Sequence, residues 1–553
     1  MPPLRFAYYC SGHGFGHATR VSAFACRLLS IQGVEVFIVS SAPARVLSQC
    51  LDQGAHLRQA DIDPVIVQPL AYRVDRRKST EVLARFLSRK DDKLLVEVDW
   101  LRRERIDCVL SDAAFLACSA ARAASLPSVL ITNFTFDSVY SYLATPVIDR
   151  DPPSILPATE PDTPVPSAEL EPLVNEIHGG YRCADLLLLL PGHIPIPSFG
   201  VEPPLPSTGW IARNAFCHDF TDEISDLLLQ DQTSIPILPH IDPRVTIPRQ
   251  VISAPLIVRT PTPKIYTAEG RTEFLTSIGI PSQYHNPEKT KILAVSFGGQ
   301  TFRKPNSSAT NTPARASSPA LDDKQLVRNN HAHDLKLKLM LPNHHHNSTP
   351  RQSSQTLAST SPIATPSHIF VPGAPPAINT SPVVASTPTF HNYSPLPEEP
   401  RFLPSGDWIA VICGLSHAAI QEDHADLPDG FYIAPPSVYV PDLLACCDVM
   451  LGKLGYGAVA ECVDSCTPFV YVSRPLFIEE YGLKRFLTTE GVGVELSRAR
   501  YELGDWAARI DEAWMKGRMS KAQKRLRGET GQTTAAAQAL ADRLVDWTLE
   551  RTK

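Results

Sequence analysis

The sequence predicts an α/β fold of two doubly wound, Rossmann-like units, on three observations. Strand-like apolar runs alternate with helical patterns through the first 302 residues and again from about 401 to 530. Each half opens on a strand that runs into glycines, "RFAYYC" into "SGHGFG" and "KILAVS" into "FGGQ". A strand, a glycine loop, a helix and a second strand begin a doubly wound domain. The composition then changes abruptly over 303–400, so the second unit is split by an insert.

In chain order, "RFAYYC" (5–10) is a buried strand. "ATRVSAFACRLLSIQG" has helical periodicity and ends on Gly33, a glycine stop, and "VEVFIVSS" is the next strand. "IDCVLSD" (106–112), the Ala-rich "AAFLACSAARAAS" and "PSVLITNFTFD" repeat the rhythm, and "ADLLLLLPG" (184–192) is a later strand of the same sheet. Residues 203–250 are proline-rich and read as an irregular excursion; "APLIVRTP" (254–261) joins the halves. The insert is Ser, Thr, Pro, Asn and His, too poor in large apolar residues to offset its ordering entropy, and reads as disordered. Its Ser-Pro and Thr-Pro pairs make it a candidate for phosphorylation or protein binding; a retained non-coding segment is the alternative. Order resumes at "WIAVICG" (408–414), and "TTAAAQALADRLVDWTLERT" closes as an amphipathic helix. The expected domains are 1–255, then 256–302 with 401–530, then a C-terminal helix at 531–553.

With 553 residues the chain exceeds what one core usually covers. A net charge of −6 with no basic block argues against a dedicated nucleic-acid binder. The N-terminal apolar run is broken by glycine and is not a signal peptide, and "ADLLLLLPG" is too short to cross a bilayer, so no transmembrane segment is expected. Twelve cysteines lack paired metal spacing, which points to a reducing, cytoplasmic or nuclear setting, taken here as cytoplasmic, and no metal site.

The opening loop carries the first candidate site. Gly12, Gly14 and Gly16 allow a sharp turn and close approach to a ligand, and the following helix aims its N-terminal amides at the loop. The third glycine comes one place early for a dinucleotide fingerprint, no acid ends the next strand, and the P-loop pattern is absent. What remains is His13 and His17 beside the glycines, with Arg20 at the end. A histidine at a strand's C-terminal end suits a general base near neutral pH; the alternative is a glycine turn with surface histidines. Asp112, Asn133 and Asp137 fall at strand ends, where ligand sites gather in open sheets. The alternative for Asp112 is a helix cap. In the second half, Gly452, Gly455 and Gly457 precede a helix containing Glu461, a carboxylate placed to accept from ribose hydroxyls. Lys453 could face a diphosphate, and Arg474, Glu479 and Glu480 could reach sugar hydroxyls. "GLSHAA" (414–419) and the histidine runs at 331–333 and 344–346 are set aside as chance likenesses.

Taken together, "YYCSGHGFGHATR", "SDAAFLACSAARAA" with "VLITNFTFD", "LLLLPGHIPIPSF", "APLIVR", "SFGGQ" and "LGKLGYGAVAECV" with "PFVYVSRPLFIEE" resemble the glycosyltransferase-like N-terminal region of L-arabinokinases and its stand-alone relatives. That region is similar to the GT-B glycosyltransferases, including the peptidoglycan GlcNAc transferase. The resemblance implies a GT-B architecture, with an acceptor-side first domain and a nucleotide-sugar second domain facing across a cleft. It implies that His17 matches the superfamily's loop histidine and Glu461 its ribose-gripping glutamate. Nothing in the chain resembles the sugar kinase domain, so kinase activity is not expected.

The expectation is therefore hexosyl transfer from a nucleotide-diphosphate sugar, with UDP as the expected carrier, to an unidentified acceptor. His17 is the expected base, positioned by His13, Asp112 or Asn133, with Gly14, Gly16, Arg20 and Asp137 on the acceptor side. Gly298, Gly299, Gly455 and Gly457 shape the diphosphate pocket, which Lys453 faces. Glu461 holds the ribose, and Glu479 and Glu480 orient the sugar. No cofactor is required beyond the donor itself. The rival readings are a sugar-nucleotide sensor or scaffold of the same fold, and an epimerase or hydrolase.

Overall fold

The computed structural model describes residues 2–12, 15–149, 162–200, 203–213, 218–229, 248–298, 401–414 and 429–552. His13, Gly14, Gly299, the insert at 303–400 and "LSHAA" at 415–419 lie outside the described residues.

Seven parallel strands form the first sheet. They are β1 (Leu4–Cys10), β2 (Val34–Ser40), β3 (His56–Gln59), β4 (Cys108–Asp112), β5 (Ser128–Thr132), β6 (Leu186–Leu189) and, after a small antiparallel pair β7 (Ile211–Arg213) and β8 (His218–Phe220), β9 (Gln250–Ser253). Their order is β3-β2-β1-β4-β5-β6-β9. The second sheet has β10 (Lys291–Ser296), β11 (Trp408–Ile412), β12 (Phe431–Ile433), β13 (Val449–Gly452), β14 (Phe469–Val472) and β15 (Gly493–Leu496), in the order β12-β11-β10-β13-β14-β15. Both are the doubly wound order, which reverses direction between the first strand and the fourth. The fold is thus α/β with two Rossmann-like units, as the GT-B expectation requires.

The central strands are continuous apolar runs because helices cover both faces of a parallel sheet; "CVLSD", "SVLIT" and "LLLL" are buried at every position. The described residues of the stretch at 203–250 hold β7, β8 and the Asp222–Leu229 helix, whose one buried residue is Ile224. Trp210 and Phe220 reach the core.

The halves are interlocked. Ala71 and Tyr72, from the loop after β3, are buried in the core of the second unit with Val295, Phe297 and Trp408. Arg498 donates to the Tyr72 carbonyl at 2.9 Å and lies over its ring, and the Tyr72 hydroxyl donates to Glu502 at 3.0 Å. In return Leu476, Phe477, Ile478 and Tyr481 enter the core of the first unit beside Phe134, Phe136 and Tyr142. The last helix, Gln532–Thr552, crosses back: Leu540, Leu544 and Trp547 pack with Phe24 and Leu28 of the Phe15–Leu29 helix. The described parts of both halves form one compact unit.

Candidate active site

In open parallel sheets, ligands gather where the strand order reverses. In the first sheet that point lies between β1 and β4, whose last residues, Cys10 and Asp112, are register partners. The glycine loop leaves β1 there, and its Ser11 N–H donates to the Asp112 carbonyl at 3.4 Å. In the second sheet it lies between β10 and β13, where Ser296 pairs with Gly452. Lys453 follows the second of those strands directly, and Gly298 comes two residues after the first.

His17 and Arg20 sit one turn apart on the Phe15–Leu29 helix, so their side chains share a face. Both reach Asp112. His17 Nδ1 lies 2.6 Å from Oδ1, while Arg20 donates Nε to Oδ2 at 2.6 Å and Nη2 to Oδ1 at 2.7 Å. Burial alone would raise the Asp112 carboxyl, but Arg20 and then His17 outweigh it and hold the group below its ordinary value. Burial likewise opposes the Arg20 charge, and Asp112 overcomes it, moving that pKa up. Asp112 does not cap the next helix; the Ser111 hydroxyl takes the Ala114 N–H instead. The His17 ring packs against Phe134 and Phe136, with centroids 5.6 and 6.3 Å away.

Arg20 also donates Nη1 to Asn133 Oδ1 at 2.6 Å, and Asn133 Nδ2 donates to Glu479 at 2.9 Å. The Arg20 guanidinium stands over the Tyr456 ring at 4.8 Å. Asp137 is turned elsewhere: it receives the Ser138 N–H and pairs with His178 at 2.9 Å.

On the second unit, Glu461 is buried and both Arg259 contacts, at 2.8 and 2.7 Å, fall on its Oε1. Burial raises the Glu461 carboxyl, against the pull of Arg259. Glu480 accepts from Ser473 and from the Arg474 N–H and Nε, and Arg474 in turn donates to the Leu454 carbonyl. Lys453 donates to Gln68 at 3.3 Å; burial first, and then Arg474, lower its pKa to about 7 against Glu479 and Glu480. Gly298 has φ +76, and a Cβ there would rest 3.7 Å from the Lys453 chain. Gly457 meets the other half: a Cβ would fall 2.9 Å from Thr19 Oγ1 and 3.2 Å from the Gly16 Cα. Gly455 is the residue before the Tyr456–Asp464 helix, and a Cβ there would meet open space.

The structure thus gathers His17, Asp112, Arg20, Asn133 and Glu479 into one buried cluster, and Lys453, Arg474 and Glu480 into its neighbour. Glu461 stands apart with Arg259, and Gly16 and Gly457 form the contact between the helix starts. Arg259 ends "APLIVR", a segment that carries the resemblance but to which the sequence assigned no role. Asp63 is a second carboxylate on the glycine loop, bonded to Ser11 and Gly12 and equally unsignalled. Among the described residues no group of three His, Cys, Asp or Glu side chains is placed to hold a metal ion. No helix there is long and apolar enough to cross a membrane.

No protein-family model matches the chain. Over 514 residues it is 25% identical to L-arabinokinase of Arabidopsis thaliana. The chain is similar to L-arabinokinase. The match covers 92% of this chain and 32% of that protein, so the chain spans about a third of its relative's length. Among solved structures, the calicheamicin glycosyltransferase CalG4 overlays with a TM-score of 0.48 at 13% identity over 99% of both chains. Phytolacca americana UGT2, complexed with UDP-2fluoro-glucose and pterostilbene, overlays with a TM-score of 0.44 at 12% identity, over 98% of this chain and 99% of its own. Overlays this distant assign no role to any residue here.

Proposed function

We propose that this chain transfers a sugar from a nucleotide-diphosphate donor, with UDP as the carrier, to a hydroxyl acceptor. The observation that carries the reading is the buried His17–Asp112 pair at the reversal point of the first sheet. Asp112 engages Nδ1, so Nε2 is the nitrogen that takes the acceptor proton. The acceptor oxygen then forms its bond to the anomeric carbon of the sugar as the bond from that carbon to the diphosphate oxygen breaks. The electron pair leaves with the diphosphate.

Negative charge on that leaving group is met by Lys453 and by the amides at the start of the Tyr456–Asp464 helix, beside Gly298 and Gly455. Glu461 Oε2 accepts from the ribose hydroxyls while Arg259 holds Oε1. Glu479, bonded to Asn133 through Oε1, offers Oε2 to the sugar. The similarity to L-arabinokinase over most of the chain supports a sugar-handling role.

The test is thermal unfolding against UDP, dTDP, GDP and their sugars. A ligand at about a hundred times its Kd adds roughly 2.7 kcal/mol of stability. A shift with one nucleotide that Glu461→Ala abolishes supports the donor site. No shift with any of them overturns it, and a shift without sugar release favours a sensor.

A further inference from the structure

Two carboxylates close on the glycine loop. Asp112 holds it from β4: its main-chain carbonyl accepts the Ser11 N–H, and its carboxylate binds His17 and Arg20 of the helix that follows. Asp63, from the segment between β3 and the Arg76–Leu87 helix, holds it from the other side. It is 4% exposed. Its Oδ2 accepts from the Ser11 hydroxyl, and its Oδ1 accepts from the Gly12 N–H at 3.5 Å. Among the described residues these two neutral donors are its bonded partners, and both belong to the turn that leads into the His17 helix.

The charged and titratable groups around Asp63 come from several elements. The charges that act on it are His17, on the helix, and Asp61, on its own segment. The Cys10 thiol at the end of β1 and the phenols of Tyr140 and Tyr181 are each pushed further up by its charge. Burial raises Asp63 itself to about 6, with Ser11, His17 and Gly12 pulling the other way. Asp112 is held low by Arg20, so the environment drives the two acids apart, the pattern that marks acid and base roles in one site.

We propose that Asp63 is a positioning residue for His17: it pins the Ser11–Gly12 turn from which the histidine's helix springs and supplies a second negative charge to the imidazole. This rests on His17 as the base of the proposed transfer. The ionised carboxylate supports the imidazolium that forms when His17 takes a proton. When Asp63 protonates, that support is withdrawn and the clamp on Ser11 weakens, so the loop is set for work above the acid range.

The test uses the 553-residue chain without ligand and needs no substrate. Ring-labelled histidine is followed by NMR from pH 5 to 8, with the His17 signal assigned by its loss in His17→Gln. Asp63→Asn is expected to displace the His17 ring signals at a fixed pH, because the turn that carries the helix is released. Asp61→Asn, on the same segment, is expected to leave them in place. Unchanged His17 ring signals in folded Asp63→Asn overturn the proposal. Should that variant fail to fold, the wild type decides. Carbonyl-labelled serine with amide-labelled glycine lights up the Ser-Gly pairs at 11–12 and 405–406. The Gly12 signal, identified by Ser11→Ala, is expected to move with a midpoint near pH 6 as Asp63 titrates. A flat Gly12 signal overturns the clamp. A shifted His17 in a protein that transfers no sugar leaves the clamp standing and removes only the assignment of His17 as base.

Discussion

Asn133 donates its side-chain amide to Glu479 at 2.9 Å, and this bond joins the two halves of the chain at the site. From Asn133 the chain of bonds runs on through Arg20 and Asp112 to His17. Glu479 of the second unit and the imidazole of the first are therefore the ends of one buried network. Residues in one network do not act additively. Asn133→Ala and Glu479→Gln in a double-mutant cycle should show a coupling of about 0.5–3 kcal/mol in urea unfolding. Additive losses would mean that the bond couples nothing.

The Arg20–Asp112 pair is almost fully buried, and breaking such a pair leaves one charge uncompensated. Asp112→Asn should cost about 3–5 kcal/mol of stability. Replacing both partners, as Arg20→Met with Asp112→Leu, should recover part of that loss, because two apolar groups strand no charge. The comparison is made by denaturant unfolding; a double variant less stable than Asp112→Asn would contradict it.

Lys453 gives a dependence on pH with a definite sign. Its folded-state pKa is lowered to about 7 from an ordinary value near 10.4. Between those two values the unfolded chain binds the proton and the folded chain does not, so stability contributed by this group rises with pH across that window. Lys453→Met should flatten that part of the stability curve. The charged form is the one that meets a diphosphate, so UDP affinity should weaken as pH rises through 7 in the wild type. A parallel fall in Lys453→Met, measured by calorimetry, would remove the lysine from the donor site.

Tyr72 and Phe477 are the plugs that each half sets into the other. Truncating a buried aromatic to alanine costs about 3–5 kcal/mol. Either Tyr72→Ala or Phe477→Ala should lower the midpoint of a single unfolding transition. Two separate transitions in the wild type, followed by calorimetry, would show that the halves are not interlocked.

The sheets were legible because parallel strands buried on both faces leave unbroken apolar runs such as "LLLL" at 186–189, and because glycines mark the reversal points. Gly12, Gly298 and Gly452 could be read as loop starts from sequence alone. The partners could not. Arg20 binds a residue 92 positions away, and Arg259 one 202 positions away, and no local pattern encodes such pairings. Asp63 lies among isolated apolar residues and prolines with no motif. Gly457 fits a phosphate loop by spacing, yet its missing side chain makes room for Thr19 and Gly16 of the other unit. The interlocking arms were invisible for the same reason: Tyr72 and Phe477 look like ordinary loop aromatics until the fold places them.

The measurement that tests the central claim most directly is nucleotide release from a panel of UDP-sugars by the wild type and by His17→Ala, with donor affinity measured on the same samples. A positioned general base contributes about a hundredfold or more in rate. The account predicts release by the wild type, a loss of at least that size in His17→Ala, and an unchanged donor Kd. Equal rates in the two proteins would contradict it.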